Sequence, residues 1–148
     1  MNPSPAATAP NWLLMLAIIG GFVVIFPLFW CLVVWMLSRM SGWHGLARHY
    51  ASGDRQVTGD RHTGVTGMVG GVSYRHVLTV HFTADGFFIE PMALFKIGQP
   101  RLFIPWSDVT RSGSVNVLWW RATRLAVGHP VVATISLPAD LVEQHAPA

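Results

Sequence analysis

The sequence predicts one N-terminal transmembrane α-helix followed by a mainly antiparallel β roll or barrel with a short C-terminal helix. Three observations carry this fold class. The stretch Trp12–Leu37, WLLMLAIIGGFVVIFPLFWCLVVWML, contains no charged residue. From Gly64 the apolar residues recur with a period of two, and Gly, Pro, Asp and Ser interrupt them at regular spacing. Pro138 then suits the opening of a last helical segment that ends near His145.

Length and composition bound what the chain holds. Its 148 residues permit one compact domain plus an anchor. The formal charge is +3 and the pI near 9.8, but Lys and Arg are scattered. No run of them forms a nucleic-acid footprint, so nucleic acid is excluded as a partner. The one cysteine, Cys31, lies inside the apolar stretch, so no intrachain disulfide forms. At that depth its thiol is expected to be unreactive.

Residues 1–11 are rich in Pro and Ala and read as a disordered tail. The helix 12–37 follows. A helix rises about 1.5 Å per residue and the bilayer's hydrocarbon is about 30 Å thick, so roughly 20 apolar residues suffice to cross it. A cleavable signal peptide is the competing reading, but it needs a basic flank before an apolar run of about 7–15 residues. Here the preceding flank is uncharged and the run is longer. Trp12, Trp30, Trp35 and Trp43 are candidate interfacial anchors. Ala17 and Gly21 make a small-xxx-small pair that permits close approach of a second helix, although small residues also recur by chance in such segments. Phe22, Phe26 and Phe29 form a stripe that reads as a lipid face. No Lys or Arg precedes the helix, whereas Arg39, Arg48 and Arg55 follow it. The positive-inside rule therefore predicts an external N-terminus and a cytoplasmic domain, on the inner membrane if the source is bacterial.

Residues 38–51, SRMSGWHGLARHYA, read as an amphipathic juxtamembrane helix with Trp43, Leu46, Ala47 and Tyr50 on one face and a break near Gly42 or Gly45. That face can lie on the membrane surface or on the following domain. Residues 52–63 are polar and read as a linker, leaving 64–148 for the β domain. Gly70-Gly71 between Val69 and Val72 marks a two-residue hairpin whose turn needs positive φ. In the next strand Tyr74, His76, Leu78, Val80 and Phe82 are the expected core face. Asp85-Gly86 turns into a strand at Phe87–Glu90, Met92–Ile97 is an apolar run, and Arg101–Trp106 is another strand. A turn is expected at Ser112-Gly113-Ser114, then Val115–Val127 as one long strand or two joined by a bend. His129-Pro130 ends it, and Val131, Ala133, Ile135 and Leu137 face the core from the last strand.

Leu78-Thr79-Val80 before Asp85-Gly86-Phe87, with Pro100-Arg101-Leu102-Phe103-Ile104-Pro105-Trp106-Ser107-Asp108-Val109, resembles bacterial pleckstrin-homology-like (PH-like) domains of small single-pass membrane proteins. The resemblance covers roughly Gly64–His145, and Ile104–Val109 is its most specific part. It implies a PH-like roll that holds a phosphoinositide headgroup or a peptide. Headgroup binding in such domains uses a basic cluster between the first two strands, where this chain has only Arg75 beside Gly70-Gly71.

No catalytic constellation accompanies these elements. The seven histidines lack ligand spacing: His44 and His49, like His76 and His81, are five apart, and no CxxC or HExxH is present. The glycines from Gly64 to Gly71 lack the lysine and the following helix of a phosphate loop, and no GxSxG elbow occurs. Ser107-Asp108 reads as a turn cap rather than a catalytic pair. The chain is therefore expected to be a non-enzymatic binding or adaptor protein, with no cofactor, metal or small-molecule substrate. Its expected partners are the bilayer and another membrane protein or a second copy of itself. An anionic-lipid sensor and an accessory subunit of a larger membrane complex are the alternatives. Candidate surface residues are Met92, Leu94, Phe95, Lys96 and Arg101, and Trp119, Trp120, Arg121 and Arg124. Lys96, Arg101, Arg121 and Arg124 are read as one loose positive surface, against ordinary solvated strand charges. The apolar bulk of Pro91–Ile97 and Val117–Trp120 points to a partner, the membrane surface or the juxtamembrane helix as its cover.

Overall fold

In a charge-free apolar run the backbone is best satisfied within a helix, and α1 runs continuously from Asn11 to Met40, through Pro27. The computed structural model describes residues 10–117 and 119–148, so most of the expected N-terminal tail lies outside the described residues. The chain divides into two compact units, Met1–Val33 and Val34–Ala148.

In the first unit α1 is long and apolar enough to cross a membrane. Its side chains point outward almost throughout, including Trp12, Ile18, Phe22, Phe26 and Trp30. The rings of Phe22 and Phe26 stack at 5.2 Å between centroids, and those of Phe26 and Trp30 at 6.3 Å. Ala17 and Gly21 lie on an open side, where a Cβ added to Gly21 meets nothing within 4 Å.

The second unit begins with the last two turns of α1. Gly42, at φ 73°, stops that helix and starts α2 (Trp43–Tyr50). Seven antiparallel strands follow: β1 (Asp60–Val69), β2 (Val72–Phe82), β3 (Gly86–Pro91), β4 (Leu102–Pro105), β5 (Val109–Val117), β6 (Trp120–Val127) and β7 (Ala133–Pro138). Their order is β4-β3-β2-β1-β7-β6-β5, a sheet curled into a half-barrel, and α3 (Ala139–His145) ends the chain's regular structure. Two meanders are thus joined where β1 meets β7, with Val69 opposite Ile135. Alternation turns Leu78, Val80, Phe82, Phe87, Ile89, Leu102, Ile104, Leu125, Val127, Ile135 and Leu137 into one buried core.

The juxtamembrane helix lies on this core. Trp43 and Leu46 are fully buried, Ala47 and Tyr50 pack beside them, and Ala51 bridges to Leu102 on the edge strand β4. Burying each large apolar side chain is worth about 1.5–3 kcal/mol. Trp43 therefore differs from its expected role as a membrane anchor: no part of its surface is left for lipid, and its indole N–H donates to the Pro100 carbonyl at 3.0 Å.

Several strand boundaries also differ from expectation. β1 starts at Asp60 rather than Gly64, because Asp60 and Arg61 pair with Phe82 and His81 and consume the end of the expected linker. His76 is exposed rather than in the core. It sits at φ 55° where the β1–β2 register slips, and its N–H donates to Thr66 Oγ1. A bulge of this kind aims one residue off the face that alternation assigns it. Met92–Ile97 is a loop with a 3-10 turn at Ala93–Phe95. Ser112–Ser114 does not turn: β5 runs through it, and Gly113 (φ 121°) absorbs a register shift against β6. The apolar span 115–127 is two strands, with Val117 opposite Trp120 at the hairpin; Leu118 lies outside the described residues. Val131 is exposed because it belongs to the turn before β7, which carries a cis His129–Pro130 bond.

Candidate binding cleft

The slips in the β1–β2 ladder place a cleft over the first half of β1. Gly64, at φ 66°, and His76 both depart from regular strand geometry there. The β5–β6 hairpin borders the cleft through Trp119, Trp120 and Arg121, and α3 through Asp140, Leu141 and Glu143. The cleft has a volume of about 1020 Å³, within the range of small-ligand and peptide sites. Arg61, Arg75 and Arg121 line it, and none of the three has a carboxylate within ion-pair distance among the described residues. Trp119 is 93% exposed, whereas Trp120 is half-buried. The arrangement combines a flat aromatic surface with three planar donors and the carboxylates of Asp140 and Glu143, which suits a partner that brings apolar and mixed polar groups.

The loop between β3 and β4 is built differently. Its two cations share one acceptor: Lys96 Nζ and Arg101 Nε lie 2.9 and 3.1 Å from Glu90 Oε2. Burial pushes the Glu90 carboxyl up, but the bonds and charges of Lys96 and Arg101 outweigh it and hold it below the ordinary carboxylate range. Nearby His81 is held below its ordinary value mainly by burial, against the opposing pull of Glu90. The root of the loop is braced from the helices, since Ser38 Oγ donates to the Gly98 carbonyl at 2.8 Å and Trp43 holds Pro100. Its apolar residues Met92, Leu94 and Ile97 remain exposed, and Phe95 is half-buried.

The four cations expected to form one surface are therefore divided. Lys96 and Arg101 belong to the β3–β4 edge of the sheet and are both paired with Glu90. Arg121 and Arg124 lie on β6, across β2, β1 and β7 in the sheet order, and both are exposed. Arg61 is the cleft residue that sequence reasoning missed, because it lay inside the segment read as linker. Its signal was the reach of β2, whose apolar alternation runs to Phe82 and requires a partner as far as Asp60. Asp108, expected to cap its turn, instead accepts two hydroxyls, Ser107 at 3.2 Å and Tyr50 at 2.9 Å. Burial first, then the Asp108 bond and charge, push the Tyr50 phenol up to about 12.

No group of three metal-ligating side chains gathers among the described residues. The nearest approach to one is His145, whose Nε2 lies 3.4 Å from Asp60 Oδ2 while its ring stacks on Phe82 at 4.5 Å and meets the His62 ring edge-on at 5.1 Å. These contacts tie α3 to the start of β1. No known protein family, curated protein or solved structure matches this chain.

Proposed function

We propose that this chain is a non-enzymatic, single-pass membrane protein whose PH-like β domain binds another membrane protein through the cleft at Arg61, Arg75 and Arg121. In this reading α1 crosses the inner membrane with its N-terminus outside, and the β domain works in the cytoplasm. The anchor is supported by the exposed apolar length of α1 and by the basic residues that follow it. A PH-like roll is supported by the curled seven-strand antiparallel sheet with a terminal helix, together with Ile104–Val109. The observation that carries the binding role is a 93% exposed Trp119 beside three arginines that lack carboxylate partners. Large exposed aromatics and arginines are the side chains that contribute most to interfaces.

A photo-crosslinking residue in place of Trp119, in intact membranes, tests this. The expected outcome is one discrete protein adduct that disappears in the Arg75→Glu, Arg121→Glu double variant. Adducts to lipid alone would replace the reading with the anionic-lipid sensor. An adduct pattern indifferent to the arginines would end the claim for the cleft.

A further inference from the structure

The β3–β4 loop is held against the last two turns of α1, where the charge-free stretch stops. Ser38 is the first residue beyond that stretch, and its hydroxyl donates to Gly98. Gly98 also lies against Trp35, since a Cβ added there would stand 3.6 Å from Trp35 Cδ1. Arg39 sits over the Trp35 ring at 4.9 Å from its centroid. An aromatic paired with a cation at the end of an apolar helix marks the headgroup level. The loop root is thus fixed at that level, by Ser38 from one helix and by Trp43 from the next.

From that root the loop presents Met92, Leu94 and Ile97, exposed at 48, 70 and 40%. Its one lysine shares the Glu90 carboxylate with Arg101, so the tip carries apolar surface above a charge cluster of net +1. Three large apolar side chains exposed together on one loop mark a contact surface. We infer that this loop is a second, shallow membrane contact: Met92, Leu94 and Ile97 enter the interface of the leaflet in which α1 ends. The occupant of the surface is lipid, because the loop is continuous through Ser38 and Trp35 with the membrane helix. The attraction is apolar and therefore insensitive to salt, unlike a basic patch on anionic lipid. The inference rests on the reading that α1 crosses the bilayer.

The test uses the full chain in a Cys31→Ser background, reconstituted into phosphatidylcholine vesicles with a minority of phosphatidylglycerol. A solvent-sensitive fluorophore is attached in turn at Leu94→Cys, Phe26→Cys and Gln144→Cys, and nitroxide lipids of shallow or deep label position are added. Expected are a blue shift and strong loss of emission at position 94 with the shallow label, unchanged in molar salt. Position 26 should respond to the deep label, and position 144, exposed on α3 and outside the cleft lining, to neither. Quenching at 26 without quenching at 94 would overturn the loop contact and leave the membrane anchor standing. Failure at 26 would overturn both. Quenching at 94 that salt abolishes, or equal quenching at 144, would overturn an apolar contact specific to this loop.

Discussion

The β3–β4 loop and the β5–β6 hairpin have nearly the same ingredients, two cations beside a cluster of large apolar side chains, and they are put to opposite uses. At the loop, Lys96 and Arg101 both pair with Glu90, and hydrogen bonds from Ser38 and Trp43 pin the backbone. Apolar surface is what remains. At the hairpin, Arg121 and Arg124 have no carboxylate partner among the described residues, and Trp119 extends into solvent beside them. Whether a basic residue is available to a partner depends on whether the fold supplies an acid for it. Composition is silent on that point.

The sharpest way to break this comparison is to make one substitution at both places. Trp43→Ala removes the fully buried ring that underlies the loop and frees Pro100, and should cost about 3–5 kcal/mol. Chemical unfolding of the detergent-solubilised chain measures it, and a loss no larger than that of a surface substitution would refute the packing of α2 on the core. A smaller effect is expected from Glu90→Gln, about 1 kcal/mol, because Lys96 and Arg101 stay partly solvated when their acceptor is lost. The pH dependence sharpens this case. The folded Glu90 carboxyl titrates below its unfolded value near 4.5, so its contribution is complete above that pH. It fades as pH falls through the lower, folded value. Melting temperatures of the parent should therefore drop more steeply through this acid range than those of the variant, and parallel curves would count against the pairing. The smallest change in stability belongs to Trp119→Ala, within about 0.5 kcal/mol, since nearly all of the ring is already in water. Partner capture at the cleft should nonetheless fall away in that variant.

What was legible in the sequence is what depends on neighbours along the chain. Gly70 and Gly71 adopt φ of 57° and 96°, and the hairpin they form was readable because few other residues tolerate such angles. The inward face of β2 was readable from Leu78 to Phe82, where alternation is regular. It failed at His76, because a bulge is defined by two strands and the reading had one. The amphipathic face of α2 was visible, but its destination was not: a stripe of Trp43, Leu46, Ala47 and Tyr50 suits a membrane or a sheet edge equally. Glu90 went unnoticed because its two partners become neighbours only when β3 and β4 pair. The cleft was hidden for the same reason, being assembled from β1, β2, the distant β5–β6 hairpin and α3.

Gly70 does more than close a turn. A methyl group on its Cα would collide with the Ser41 carbonyl, at the bend between α1 and α2, so hairpin and bend fit together without slack. Gly42, one residue further along, lies beside Ala133 of β7 at ordinary contact distance. The joint where the helical segment meets the sheet is thus a keyed fitting rather than a swivel. Val34–Met40 and the first hairpin belong to one compact unit.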